Sequence, residues 1–297
     1  MHRVFVTGAT GFVGRAVIQA LRAEGHVVRC LVRRGSEHDL HGFEAIERVE
    51  GDVLAGMEAL EADIAGCDTV IHLVGIIREY HGSGVTFERL HVQATKNVVA
   101  AAGRVGVRRF LHMSALGTRP GARSRYHQTK WAAEDVVRAS GLVWTIFRPS
   151  VIYGIGDGFI SLLARMVRLP VVPVIGDGHQ RLQPVPVEHV AAGFARAVSL
   201  EAAVKQAYVV AGRDVVTMRA LLDMIGAALH RPVRTVRVPM RVMRPMARLL
   251  HRAPSFPVTP DQLLMLEEDN TGNGEPFYET FGLPPEPLVQ GLRRILG

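Results

Sequence analysis

Cysteine is nearly absent: Cys30 and Cys67 are the only two in 297 residues, and they lack C-x-x-C spacing. That count argues against a disulfide framework or a thiolate metal site and leaves reduced thiols as the expectation. No uninterrupted apolar stretch reaches the ~18 residues that a membrane-spanning helix needs. The first residues read as a strand, where a secretory leader would place a basic segment and an apolar run. A soluble, intracellular, cytoplasmic protein is therefore expected. Repeats, low-complexity tracts and long linkers are missing as well. So are RNP, KH and zinc-finger patterns, and nucleic acid is not an expected partner although 35 Lys and Arg against 28 Asp and Glu leave a formal charge of +7. His38 and His41 have no further ligand cluster near them, and no metal is expected.

What the chain does have stands at its start. Gly8, Gly11 and Gly14 are spaced three apart between a β-branched run over 4–7 and a helical pattern with Val13, Val17, Ile18 and Leu21. Without a Cβ, glycine takes the positive φ of a tight strand-to-helix turn and lets a diphosphate approach the N–H groups of the helix's first turn, where the macrodipole favours an anion. Glu24-Gly25 supplies a stop, and a second strand opens at Val27.

Strand patterns over 27–32, 46–49, 69–74, 109–113 and 143–147 alternate with helical patterns over 57–64, 87–105 and 129–139. Strict alternation implies right-handed crossovers and an α/β fold with a doubly wound parallel Rossmann sheet. Prolines concentrate after residue 148, so the expected division is a nucleotide-binding domain over 1–150 and a smaller C-terminal substrate lobe over 151–297 with segments returning to the sheet. Ligands of such sheets bind beyond the carboxyl ends of the strands.

As written, Thr7-Gly8-Ala9-Thr10-Gly11-Phe12-Val13-Gly14 resembles the extended branch of the short-chain dehydrogenase/reductase superfamily, the NAD-dependent epimerase/dehydratase-like proteins. In NAD-selective sites an acidic residue ~20 positions past the glycines binds the ribose 2′-OH. Here that place holds Arg33 and Arg34, with no acid until Glu37, so NADP(H) is the preferred cofactor and NAD(H) the alternative. The resemblance implies that Asp52 and Val53 meet the adenine. A turn role for Asp52 is the plainer alternative. It also implies that Leu73, Val74 and Gly75 line the ribose and nicotinamide side, with Val74 a departure from the usual Ala.

Ser114, Tyr126 and Lys130 resemble the superfamily's Ser and Tyr-x-x-x-Lys set. Residues i and i+4 share a helix face, so the Lys130 ammonium is expected near the Tyr126 hydroxyl and the nicotinamide ribose, drawing the phenol down from ~10. Tyr126 would then be the general acid or base and Ser114 would orient the substrate oxygen. Arg119, Arg123 and Arg125 either greet an anionic substrate or form a solvated loop. Arg148, Pro149 and Ser150 open a turn resembling the branch's R-P-x-x-V-Y-G, implied to close over the nicotinamide.

The segments His72 to Ile77, Arg109 to Gly117 and Val174 to Pro186 resemble an atypical branch whose best-known member is the nucleotide-binding accessory subunit of respiratory complex I. That resemblance implies a structural NADPH and sets an accessory or assembly protein of a membrane NADH:quinone oxidoreductase beside the enzymatic reading. Over 240–252, arginines at 241, 244, 248 and 252 fall on one helical face. The segment suits either a peripheral membrane or respiratory-complex contact or, more plainly, a lid helix with a wet arginine face. A homodimer is a further expectation, because exposed helix pairs in this fold often dimerise.

Overall fold

The computed structural model describes residues 1–36, 40–43, 45–250, 256 and 258–297. Glu37, His38 and Arg252, singled out above, lie outside the described residues. The chain divides into two compact units, one formed by Met1–Pro149, Val187–Val209 and Glu275–Leu283, the other by Ser150–Pro186, Val210–Gly274 and Pro284–Gly297.

The first unit runs β1 (Arg3–Thr7), α1 (Phe12–Ala23), β2 (Val27–Val32), β3 (Glu47–Glu50), α2 (Met57–Ile64), β4 (Thr69–His72), a π-helical turn (Glu88–Gln93), α3 (Ala94–Arg104), β5 (Arg109–Met113), α4 (Arg125–Ala139) and β6 (Val143–Pro149). The chain then builds β7 (Ile152–Tyr153), α5 (Phe159–Val167), β8 (Val172–Ile175), β9 (Arg181–Leu182) and β10 (Val185–Pro186) in the second unit. It returns to the first with α6 (Val187–Ala197) and β11 (Gln206–Val210). The remainder is β12 (Val216–Thr217), α7 (Met218–Ala228), β13 (Thr235–Val238), α8 (Met240–Leu250), α9 (Pro260–Leu266), α10 (Glu275–Phe281) and α11 (Leu288–Leu296), of which α10 belongs to the first unit.

A seven-stranded sheet in the order β11-β6-β5-β4-β1-β2-β3 forms the centre of the first unit, with β1 to β6 pairing in parallel. All four residues of β4 and four of five in β1 are buried, as expected of strands covered by helices on both faces. The strand order reverses between β1 and β4, which opens a crevice at their carboxyl ends. Gly14, Val17, Ile18 and Leu21 make the buried stripe of α1, which packs on α6. Each such aliphatic side chain contributes about 1.5–3 kcal/mol when fully buried. Gly25, at φ +76°, ends the helix as its position suggested.

Two departures from the sequence pattern bear on the site. The single helix expected over 87–105 divides into the π-helical turn and α3, and α4 begins a turn earlier than expected. Ser124 caps α4 by accepting the His127 N–H, which puts Tyr126 in the helix's first turn.

The second unit holds three two-stranded pairings, β7 with β10 and β8 with β13 in parallel and β9 with β12 antiparallel. Its main core gathers Tyr153, Leu163, Val172, Leu221, Ile225 and Leu292. Among the described residues, no helix is long and apolar enough to cross a membrane.

Candidate functional site

The glycine turn is held by the Gly11 N–H donating to the Gly8 carbonyl at 3.1 Å. Gly8 takes φ +73°, and a Cβ on Gly14 would lie 2.2 Å from the Gly8 oxygen, so strand and helix approach only because that carbon is missing. Gly11 caps α1 without a side-chain partner, and no acid stands in the first turn. The first-turn N–H groups around Phe12 and Val13 therefore face outward as a cradle suited to a diphosphate.

Arg33 and Arg34 lie exposed just past β2, lining a cavity of about 580 Å3 with Ser36, Glu50, Gly51 and Asp52. Glu50 was not anticipated from the sequence. Its signal was the sheet register, because Glu50 pairs with Val32 and parallel neighbours end side by side. Asp52 accepts the Leu54 N–H at 2.8 Å, so one oxygen serves the turn. Val53 is packed in the apolar core, and its carbonyl accepts the Asn97 amide at 3.0 Å.

A chain of hydrogen bonds crosses beneath the crevice. Thr95 donates its hydroxyl proton to the His91 carbonyl at 2.6 Å and therefore accepts from His72 Nε2 at 3.1 Å. The other ring nitrogen, Nδ1, then accepts the Thr7 hydroxyl at 2.7 Å. Thr7 is fully buried, its hydroxyl committed to His72 instead of a cofactor. Thr10 is half-buried in the turn, and its carbonyl accepts from Arg15 at 3.2 Å.

Lys130 is buried, with its ammonium donating to the Met113 carbonyl at 2.9 Å and to the Val74 carbonyl at 3.5 Å. It thus bridges the ends of β4 and β5. A Cβ on Gly75 would come 3.0 Å from the Lys130 nitrogen and 3.7 Å from His91 Nε2, so this glycine makes room for both. Burial brings the Lys130 ammonium down to about 8 despite the nearby Glu134 carboxylate.

Tyr126 is half-buried, framed by Phe87, His91 and His127 at ring-centroid separations of 5.9, 5.4 and 5.2 Å, all edge-on. Burial pushes its hydroxyl up to about 12. This reverses the expected lowering, and desolvation is the cause. His91, from the π-helical turn, reaches the Thr129 hydroxyl through Nδ1 at 2.9 Å, and its Nε2 accepts the Ile76 N–H at 3.1 Å. Burial and Lys130 hold its ring down to about 2. Sequence reading missed His91, because a π-helical turn leaves no period by which to anticipate it.

Four residues expected at the site have hydrogen-bond partners within the chain. Ser114 is buried and donates to Glu134 Oε1 at 2.5 Å, so its hydroxyl is committed away from a substrate oxygen. Arg148 donates to both oxygens of the same fully buried carboxylate at 2.8 and 2.6 Å, and Arg138 adds a bond at 2.5 Å. The Arg148 and Arg138 guanidiniums lie over Trp131. Pro149 accepts the Leu116 N–H, and Ser150, in the second unit, donates to the Gln183 carbonyl at 2.6 Å. The isolated Glu134 charge demands compensation, and Ser114 and Arg148 supply it. In the loop before α4, Arg119 donates to the Gly117 carbonyl, and at the start of α4 Arg125 lies 3.4 Å from Glu79. Leu73 is buried and Val74 packs against the core.

The family model described as NAD(P)H-binding matches residues 8–158, from the glycine turn past the end of β6. The chain belongs to this NAD(P)H-binding family. Among curated relatives of this NAD(P)H-binding chain, a ceramide reductase of Caulobacter vibrioides is 36% identical over 190 residues, covering 64% of this chain and 58% of that protein. The mitochondrial NADH-ubiquinone oxidoreductase 40 kDa subunit of Neurospora crassa is 25% identical over 264 residues, covering 86% of this chain and 68% of that one. The chain therefore spans little more than half the length of the first and about two thirds of the second. A crystal structure of a Bacillus cereus UDP-glucuronic acid 4-epimerase with UDP-glucuronic acid and NAD shares the fold, with a TM-score of 0.76 at 17% identity over 99% of this chain and 98% of that one.

Proposed function

We propose that this chain is an NADP(H)-dependent oxidoreductase that interconverts a carbonyl and a hydroxyl on a small molecule, as a reductase or as an epimerase or dehydratase working through a transient ketone. One observation carries the reading: Lys130 is anchored on the Met113 and Val74 carbonyls, and Tyr126 stands one turn earlier on the same helix. The uncapped first turn of α1 and the missing Cβ at Gly14 fit a dinucleotide's diphosphate, and the arginine cavity fits a 2′-phosphate.

A nicotinamide, when bound, supplies the donor or acceptor of two electrons. Tyr126 holds a proton at its hydroxyl across the physiological range and is suited to donate it to a carbonyl oxygen being reduced. For the reverse direction it must become a base, and a cation is the group that lowers a phenol. Lys130, poised at about 8, supplies that cation below this pH and exchanges its own proton above it. His91 and Phe87 frame the phenol edge-on.

A second reading, a protein that holds its nucleotide without turnover beside a respiratory complex, draws support from Ser114, whose hydroxyl is engaged by Glu134. The two separate in one experiment. The purified protein is loaded with NADPH, and reduced-nicotinamide absorbance is followed with a panel of aldehydes, ketones and quinones. Consumption that falls by about 10²–10⁴ in Tyr126→Phe supports the enzyme. NADPH that stays bound and unconsumed supports the accessory role, and no binding of either nicotinamide nucleotide overturns both.

A further inference from the structure

Helix α8 carries two exposed stripes that its own core does not use. Met243 and Ala247, one turn apart, are its buried residues and pack with Leu263 of α9, together with Ile175, Val238, Phe256, Val258 and Leu266. At 100° per residue, Met246, Val242 and Leu249 follow one another around the helix on one side of that stripe. They are 40%, 44% and 81% exposed. On the other side run Arg244, Arg248 and Arg241, and the eleven residues of α8 include no acid.

Val236 of β13 is 50% exposed and lies two residues before Val238, so both share one face of the β8–β13 pair. Val238 and Ile175 on that face already pack against α8. Arg244 donates to Glu267, just past the end of α9, at 2.6 Å. Pro245 removes the N–H that the Arg241 carbonyl would accept inside the helix.

We infer that the outward face of α8 is a peripheral membrane-docking surface for anionic phospholipid. An exposed apolar strip beside an exposed arginine strip is the geometry of a helix lying in a bilayer interface. Leu249, Met246 and Val242 enter the acyl boundary, and Arg241 and Arg248 remain among the phosphates. Arginine stems extend along the apolar layer while their guanidiniums stay at headgroup level. The single sign of charge on α8 selects anionic headgroups over a neutral lipid or an acid-poor protein surface.

The full chain is tested by flotation with phosphatidylcholine vesicles made with and without phosphatidylglycerol. It is expected to float with the anionic vesicles at low salt, at least tenfold more than with neutral ones, and to leave them as salt rises. Leu249→Glu with Met246→Glu should reduce flotation tenfold or more, and Arg241→Gln with Arg248→Gln should reduce it about as much. Leu249→Ser alone serves as the milder variant if the double change alters the melting curve, and it should lower flotation severalfold. Failure to float with anionic vesicles, equal flotation with neutral ones, or flotation unchanged in a folded Leu249→Ser protein would each overturn the inference. So would concentration-dependent self-association abolished by these variants without any vesicle binding, which would mark the face as a protein interface.

Discussion

Ser114 and Glu134 share a hydrogen bond of 2.5 Å inside the first unit, with the carboxylate fully buried and clamped on its other side by Arg148 and Arg138. The bond ties the end of β5 to the middle of α4. Under the proposed function, the serine would position the helix that carries Tyr126 and Lys130. Ser114→Ala should therefore cost about 1–3 kcal/mol of stability, read as a lower denaturant midpoint, while turnover by the folded fraction stays within about tenfold. A turnover loss beyond a hundredfold at unchanged stability would place the hydroxyl on the substrate after all.

The two close-approach glycines should separate folding from binding. A Cβ at Gly14 meets backbone oxygen at 2.2 Å, where nothing can yield, and Gly14→Ala is expected to yield little folded protein. At Gly75 the neighbours are the Lys130 and His91 side chains at 3.0 and 3.7 Å, which can shift. Gly75→Ala should fold with a melting temperature within a few degrees of the parent but bind nicotinamide nucleotide about tenfold more weakly in titration calorimetry. Equal behaviour of the two variants would remove this distinction.

The proposed NADP(H) preference turns on two guanidiniums that share one cavity with the Glu50 and Asp52 carboxylates. Arg33→Ala with Arg34→Ala should weaken NADPH at least tenfold more than NADH. Glu50→Gln should strengthen NADPH severalfold, an effect that shrinks in salt because these groups are exposed. If the arginine pair weakens both nucleotides alike, the NADP(H) preference is lost.

Acid sensitivity should follow from the buried imidazoles. His72 is held down to about 3 and His91 to about 2, and His112 is lowered well below its ordinary range, each chiefly by burial. An unfolded imidazole binds its proton near 6.5, so below that pH the unfolded chain takes up protons that the folded chain refuses. Stability is thus fully present above about pH 6.5 and falls as pH drops toward 3, by up to about 1.4 kcal/mol per pH unit for each group. Melting temperatures measured between these limits should decline, and His91→Asn should make the decline shallower. A flat profile would contradict neutral burial.

His112 itself offers a stabilising change. Both ring nitrogens lack a hydrogen-bond partner among the described residues, and the ring stacks on His72 at 5.6 Å. Replacing an unsatisfied polar group by an apolar one of similar volume relieves a cost of about 1–3 kcal/mol. His112→Leu should accordingly raise the denaturant midpoint, and a lowered midpoint would indicate that the ring has a partner.

The doubly wound sheet, the glycine turn and the placement of Tyr126 and Lys130 on one helix were legible in the residues because they are local. Strand periods, a missing Cβ and i,i+4 spacing act over a few positions. What the residues could not announce depends on partners distant in the chain. Glu50 enters the arginine cavity through sheet register, His91 reaches Tyr126 through a π-helical turn, and Ser114 and Arg148 turn inward toward the fully buried Glu134 carboxylate. The rise of the Tyr126 hydroxyl to about 12 belongs to the same class. Desolvation is a property of everything packed around a group, and only the folded chain determines what that is.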